Sequence, residues 1–358
     1  LMKIYIQFIV KNFIQSLLFV SSIIFCLIFI LNLLTEFEFF REINTKYYFP
    51  IYLSLINSPS LMFEMFPFIF LIASQACFIN LMKNHQIQTL KYSGLKNFRI
   101  VLILLITSFI SGLVVIILFY NLSSNLKNIY LELKNSYTSD DKYLAVITNN
   151  GLWIKDNIDE NVSIINASKI DGKFLIEASI TELDKDFNVK RHIETKKIDI
   201  SNNNWKVNNP TIYTKDEKKN IDILNFKSNF DFERIQSLFS NLSSLSIFEL
   251  FQLKKNYNSL NLSTIEINLQ INKLISYPAY LCLMTLLACI IMFYFKSYQS
   301  NTLKISVGLF LSVLIYYMNN FLYIMGKTEK INVIFSIWIP IIILLIINSI
   351  YTLKINEK

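Results

Sequence analysis

The chain has few of the groups that most catalytic and metal sites require. Its only histidines, His85 and His192, lie far apart in the sequence, so a histidine-based metal site is not expected. Its six glycines are isolated, and no Walker A, HExxH or GxSxG motif occurs. The centres of its long apolar runs lack carboxylates, which argues against a proton-coupled pump or an intramembrane aspartyl protease. We therefore expect no enzyme activity, no metal and no cofactor in this chain.

Cysteine is equally scarce, and its distribution leaves the polar part of the chain without disulfide bonds. All four cysteines fall in apolar runs: Cys26, Cys77, Cys282 and Cys289. The polar middle segment has none and cannot form a disulfide. We expect all four to be buried as small hydrophobic side chains.

Long apolar runs dominate the composition. The chain is 53% hydrophobic with a mean hydropathy of +0.42, which is too apolar for an ordinary soluble protein. A helix of about 20 residues spans about 30 Å, the thickness of a bilayer's hydrocarbon core. Six runs of this kind predict six transmembrane helices: Phe13 to Leu34, Leu61 to Met82, Ile100 to Leu122, Leu274 to Phe295, Ile305 to Met325 and Ile334 to Leu353. The first run is too long for a signal-peptide core, and we expect it to remain as an anchor.

The charge of the short loops predicts the orientation. Loops and termini on one side have a single acid, Glu357, and ten bases: Lys3, Lys11, Lys83, Lys91, Lys96, Arg99, Lys296, Lys304, Lys354 and Lys358. The short loops on the other side balance four bases with four acids. The positive-inside rule therefore places both termini in the cytoplasm and the long polar segment outside. Residues 124–273 contain 20 bases and 20 acids, a neutral balance that gives no support to nucleic-acid binding.

The apolar runs divide the chain into three parts. We expect transmembrane helices 1–3 in residues 1–123, a polar domain in residues 124–272, and transmembrane helices 4–6 in residues 273–358. Short segments rich in β-branched and aromatic residues, separated by Asn- and Gly-containing turns, predict strands and a sandwich or jelly-roll-like fold in the polar domain: Tyr143 to Ile147, Val162 to Ile165, Phe174 to Glu182, Arg191 to Ile200 and Trp205 to Val207. Capping boxes at Ser246 and Ser263 predict two trailing helices.

The loop of residues 83–94, between the second and third runs, predicts a short amphipathic helix at the cytoplasmic surface. Ile87, Leu90 and Tyr92 form its expected apolar side, and Gly94 ends it. In transporters driven by a separate ATPase, such a helix receives mechanical work. Because this chain has no nucleotide motif, a partner has to supply any energy that transport requires.

The order of several short motifs resembles one family over nearly the whole chain, the lipopolysaccharide export permeases LptF/LptG. No single motif is specific, but their combination, spacing and topology are. The motifs are Asn57-Ser58-Pro59, Phe63-Glu64-Met65-Phe66-Pro67, Ser93-Gly94, Gly151-Leu152-Trp153-Ile154-Lys155-Asp156, Leu245-Ser246-Ile247, Lys273-Leu274 to Pro278, Lys296-Ser297 and Trp338-Ile339-Pro340. The segment beginning at Gly151 looks like the first strand of the family's jelly roll and favours the LptG-like paralogue.

The resemblance implies a permease of the bacterial inner membrane with a periplasmic jelly-roll domain. Its implied partners are a cytoplasmic ABC ATPase dimer, a paralogous permease subunit, a periplasmic bridge protein and lipopolysaccharide. It implies that Gln86, Ile87, Leu90, Tyr92 and Gly94 form the ATPase-coupling segment. Gln86 departs from the family, which usually has an acid there. The end of the first span is also less basic than in many members, because Glu36, Glu38 and Glu42 surround Arg41.

Several alternatives stay open at this point. Arg41 and Lys46 are expected to contact substrate phosphates or to reach lipid headgroups. Glu64 is expected to line the substrate cavity that the resemblance implies between the two permeases, to pair with Arg41 or to reach the membrane interface. Trp153 is expected in the core of the polar domain. Two other functions remain: an exporter subunit for another lipid, and a membrane sensor or scaffold with an extracytoplasmic β domain.

Overall fold

The structure is a computed structural model, and it describes residues 4–41, 46–83, 85–135, 137, 144–148, 151–158, 161–184, 188–214, 217–232, 235, 242–259, 263–294 and 300–356. Some residues used in the sequence analysis lie outside these ranges: Lys3, Glu42, Tyr143, Phe295, Lys296, Ser297, Glu357 and Lys358. The chain divides into two compact units, one formed by Leu1–Tyr130 with Asn268–Lys358 and the other by Leu131–Ile267.

Helices build the first unit. In the described part of the chain, six are long and apolar enough to cross a membrane, which confirms the predicted number. α4 continues through a π-helical segment, Val115–Tyr120, into α5. The helices of the chain are α1 Ile4–Phe39, α2 Tyr48–Lys83, α3 Gln86–Tyr92, α4 Asn97–Val114, α5 Asn121–Asn135, α6 Ile247–Ser259, α7 Ile265–Tyr294, α8 Asn301–Lys327 and α9 Val333–Asn356, of which α6 belongs to the second unit.

Burial separates the central helices of this unit from the peripheral ones. In the most apolar 18-residue stretches of α2 and α7, 67% and 72% of the residues are buried. In the corresponding stretches of α1 and α8, only 17% and 11% are buried. In a membrane protein, apolar side chains on the outside face lipid or a partner helix rather than water. α2 and α7 are therefore the core of the helical unit, and α1 and α8 present apolar faces outward.

The expected burial of the cysteines is only partly correct. Cys77 on α2 and Cys289 on α7 are buried, and Cys282 on α7 is partly buried. Cys26 is exposed, because it lies on the outward face of α1. The expectation that all four are buried is therefore wrong for Cys26.

The second unit contains a nine-stranded antiparallel sheet in the described residues. The strands are β1 Leu144–Thr148, β2 Gly151–Ile158, β3 Asn161–Asp171, β4 Phe174–Leu183, β5 Val189–Asp199, β6 Asn204–Asn208, β7 Thr211–Tyr213, β8 Lys218–Asn220 and β9 Ile223–Lys227. Neighbouring strands pair in the order β1 to β6 and then β9. β5 pairs with β7 through His192–Glu194 and with β6 through Lys197–Asp199, so the sheet branches along β5.

The sheet buries one apolar face, and its core contains a tryptophan other than the one expected. Trp205 on β6 is fully buried, and its indole nitrogen donates to Phe230 O at 2.7 Å. Trp153 on β2 is 44% exposed, because Leu152 and Ile154 on either side of it point inward. Successive side chains of a strand point to opposite faces. The expectation that Trp153 lies in the core is therefore wrong.

The capping box at Ser246 forms as predicted. Ser246 N donates to Glu249 Oε2 at 2.7 Å, and Glu249 N donates to Ser246 Oγ at 3.4 Å, at the start of α6. The predicted second helix after Ser263 begins at Ile265 and runs without interruption into the fourth span as α7.

Candidate functional site

The segment between α2 and α4 forms the short helix α3 and ends where glycine was expected. The amide of Leu95 donates to Leu90 O at 3.1 Å. The amide of Gly94 donates to Lys91 O at 2.9 Å, which completes a Schellman-type cap. Gly94 has a φ of +84°, a conformation that residues with a Cβ rarely adopt. A glycine therefore ends α3 and turns the chain into α4.

The two sides of α3 differ from the prediction at one residue. Ile87 is buried and Leu90 is half-buried, but Tyr92 is 92% exposed. At about 100° per residue, Tyr92 lies about 140° around the helix from Ile87. The expectation that Tyr92 shares a face with Ile87 and Leu90 is therefore wrong. The outward side of α3, which we call the outer face of α3, consists of Gln88, Thr89, Lys91 and Tyr92.

Arg41 and Lys46 flank the connection between α1 and α2, and both are exposed. An edge-to-face aromatic stack holds the two helix ends beside them. The ring centroids of Phe39 and Phe40 are 4.8 Å apart, and those of Phe40 and Phe49 are 5.4 Å apart. Arg41 and Lys46 are thus anchored near the same end of the helical unit while their charged groups stay accessible.

Glu36 does not compete for Arg41, although the sequence places it five residues away. The Glu36 carboxylate is 1% exposed, and it accepts a hydrogen bond of 2.7 Å from the hydroxyl of Tyr130 on α5. A buried carboxylate requires such a donor, because burial without one is costly. Of the acids expected around Arg41, Glu36 therefore faces α5, whereas Glu38 is exposed.

Glu64 lies on α2, is exposed, and sits one turn before Pro67. Lys127 on α5 lies close enough for an electrostatic interaction with it. Within the described residues, Glu64 and Arg41 form no ion pair. The structure therefore does not support the alternative in which Glu64 pairs with Arg41.

Sequence reasoning missed a buried amide pair that joins α1 to α2. Asn57 Nδ2 donates to Asn32 Oδ1 at 3.1 Å, and Asn32 Nδ2 donates to Ser54 O at 3.1 Å. Both asparagines are less than 10% exposed. Polar side chains commonly join helices in this way inside membranes. The signal that could have found the pair is an asparagine within each of two apolar stretches.

No group of three or more His, Cys, Asp or Glu side chains suited to a metal ion occurs in the part of the chain that the structure describes. The features that remain are a helix with one exposed face, two accessible cations and a bundle with outward apolar faces. They suit contact with lipids and with other subunits better than bond-making chemistry.

A comparison with protein families matches residues 7–354 to the family described as "Lipopolysaccharide export system permease LptF/LptG". This match covers nearly the whole chain. The chain belongs to the LptF/LptG family. Six membrane helices with an antiparallel sheet inserted between the third and the fourth agree with the architecture of LptF/LptG permeases.

Family membership makes the chain a multi-pass membrane permease, a transport subunit of a lipopolysaccharide export system. It also confirms the predicted fold class, a six-helix membrane protein with an inserted β domain. No curated protein matches the chain.

Proposed function

We propose that the chain is the permease subunit of an ABC-type complex that extracts lipopolysaccharide from the inner membrane for delivery to a periplasmic bridge protein. The observation that carries the proposal is the LptF/LptG match over residues 7–354, together with the inserted sheet. The second permease is a paralogue of this chain, and the segment of residues 151–156 favours the LptG-like member of the pair. The transport cavity lies between the two.

Orientation follows from the loops. The basic excess in one set of loops supports a cytoplasmic location for α3 and both termini, and a periplasmic location for the sheet. In that orientation the outer face of α3 is available to a cytoplasmic ATPase dimer. Tyr92 offers a large exposed aromatic side chain, and Gln86 replaces the acid that the family usually has there.

The substrate contacts are assigned to Arg41 and Lys46. Lipopolysaccharide carries phosphates close to its acyl chains, and a guanidinium binds a phosphate through two parallel hydrogen bonds. The two cations are exposed beside the ends of α1 and α2, where a lipid phosphate would lie at headgroup level. Glu64, exposed on α2, is assigned to the wall of the substrate path.

The composition of the complex tests this proposal. The chain is purified in mild detergent after co-expression with a candidate ABC ATPase and a second LptF/LptG permease. We expect one complex that contains both permeases and two copies of the ATPase. Recovery of this chain alone, or with a signalling protein in place of an ATPase, would favour the sensor or scaffold alternative.

A further inference from the structure

Three departures from ideal helix geometry meet inside the helical unit. α2 contains Pro67, α7 contains Pro278, and α4 passes into α5 through the π-helical segment Val115–Tyr120. Prolines and π-helical turns are the usual causes of helix kinks. A kink frees backbone groups that need another hydrogen-bond partner where water is absent.

At Pro67 that partner is Tyr277. A carbonyl in an α-helix accepts from the amide four residues later, so Pro67 leaves the carbonyl of Phe63 without its amide. The hydroxyl of Tyr277 on α7 donates to this carbonyl oxygen. The rings of Phe63 and Tyr277 also stack, with centroids 4.7 Å apart and planes inclined by 19°. One tyrosine therefore completes the backbone hydrogen bonding of a neighbouring helix.

α4 and the π-helical segment also pack at this contact between Phe63 of α2 and Tyr277 of α7. A Cβ built at Gly112 on α4 would lie 3.3 Å from Pro278 Cα, so α4 and α7 approach closely beside Tyr277. The rings of Phe63 and Tyr120 have centroids 4.9 Å apart. Tyr120 is the last residue of the π-helical segment. All three irregular helices thus contact one another around Phe63 and Tyr277.

The order of these helices along the chain shows which parts of the protein their contact connects. α2 ends at Lys83, immediately before α3, which carries the proposed ATPase contact. α7 is the helix by which the chain returns from the inserted sheet, and α4 leads into α5 on the way toward it. Tyr277 therefore bonds the helix that leads to α3 to the helix that follows the sheet.

We propose that Tyr277 is a positioning residue for transport, whose hydroxyl holds α2 against α7 next to Pro67 so that movement of α3 reaches the helix that follows the sheet. This inference rests on the proposed function, because it takes α3 as the ATPase contact. Because Pro67 has no amide hydrogen, the hydroxyl of Tyr277 takes the place of the missing helical donor to the carbonyl of Phe63. The hydroxyl and the proline therefore act as a unit.

Tyr277→Phe separates this role from packing, since the ring and its stacking on Phe63 remain. In vesicles that contain both permeases and the ATPase, we expect the variant to assemble and to hydrolyse ATP. We expect the lipopolysaccharide released per ATP to fall by about fivefold or more, the scale of a typical coupling between sites. If the parent complex extracts lipopolysaccharide and Tyr277→Phe releases as much of it per ATP, the role of Tyr277 is overturned while the proposed function stands.

Pro67→Ala supplies the decisive background, because it returns an amide to the carbonyl of Phe63. We expect Tyr277→Phe to lower the melting temperature of the detergent-purified chain in the parent background, and to lower it less in Pro67→Ala, where the carbonyl of Phe63 keeps an amide donor. The matched control is Tyr280→Phe on the same helix, whose hydroxyl faces Asn319 of α8. Its effect should be the same in both backgrounds.

Equal melting shifts for Tyr277→Phe in the two backgrounds would overturn the inference. A parent complex that hydrolyses ATP without releasing lipopolysaccharide would contradict the proposed function, and the coupling role of Tyr277 with it. The melting measurements would still show whether the hydroxyl of Tyr277 and Pro67 act together.

Discussion

Asp156 shows what a single residue contributes to the sheet domain. Its carboxylate is fully buried and accepts hydrogen bonds from Ser228 Oγ at 2.8 Å, Asn229 N at 3.0 Å and Asn229 Nδ2 at 2.8 Å. These bonds tie β2 to the segment after β9, two parts of the chain that are far apart in sequence. A buried carboxylate is tolerated because its acceptor sites are filled.

Replacing Asp156 should destabilise the sheet domain. Asp156→Ala removes three hydrogen bonds from a buried site, and we expect a loss of about 3 kcal/mol in the domain's free energy of unfolding. Limited proteolysis of the full-length chain in detergent, over a denaturant series, measures this loss. The matched control is Asp222→Ala, because Asp222 is exposed. Equal proteolysis of the two variants would show that the Asp156 bonds contribute little.

Arg41 is the residue at which substrate recognition is most open to test. A charge-assisted hydrogen bond contributes about 1.5–3 kcal/mol, which is about a ten- to hundredfold change in affinity. Arg41→Glu should therefore weaken lipopolysaccharide crosslinking by that factor while ATP hydrolysis continues, and Arg41→Lys should be milder. Lys330→Glu, the same reversal on another exposed loop, is the control. Crosslinking at the parental level would make Arg41 an interface anchor only.

At the scale of elements, the sequence predicted what depends on local pattern. Apolar runs predicted the six spans, the Ser246–Glu249 spacing predicted the start of α6, and Gly94 predicted the end of α3. Three short strands were missed, β7, β8 and β9. β7 and β8 have only three residues each, and β8 is wholly polar, so neither has a recognisable strand pattern. The bond from Tyr277 to Phe63 was also missed. It depends on how two distant helices pack, which no local pattern records.

The faces of α3 give the clearest prediction at this scale. Ile87 packs against the rest of its own chain, whereas Tyr92 is exposed. Ile87→Asp should lower the melting temperature of the purified chain, because a buried unpaired charge is costly. Tyr92→Asp should leave that temperature unchanged and release the ATPase from the complex. Leu90→Asp, at a half-buried position, should do both in part.

Melting curves and ATPase co-purification separate these outcomes. Thr89→Asp places the same charge at another exposed residue of the outer face of α3, and we expect it to release the ATPase as well without changing the melting temperature. Retention of the ATPase by Tyr92→Asp, with normal hydrolysis, would show that the outer face of α3 is not the contact.

At the scale of the whole molecule, the proposed function depends on which side of the membrane each part of the chain occupies. The central helices α2 and α7 are buried, and the outward faces of α1 and α8 are apolar, as a lipid environment requires. The net charge of +8 arises in the basic loops, because residues 124–273 are neutral. The positive-inside rule then predicts one orientation.

Cysteine labelling tests this orientation directly. In a background without the four native cysteines, an impermeant thiol reagent should label Asn202→Cys in intact spheroplasts. It should label Gln88→Cys only after the membrane is permeabilised. Both positions are exposed, so access of the reagent depends on the side of the membrane alone. Labelling of Gln88→Cys in intact spheroplasts would reverse the topology.

Transfer of lipopolysaccharide out of vesicles tests the proposed function of this permease most directly. Vesicles that hold the chain, its paralogue and the ATPase are loaded with lipopolysaccharide and phospholipid in known proportion, and a soluble bridge domain is added outside. We expect ATP-dependent transfer of lipopolysaccharide to the bridge domain, with phospholipid retained in the vesicles. Transfer of phospholipid in proportion to its abundance, or no transfer of lipopolysaccharide by a complex that hydrolyses ATP, would contradict the proposed function.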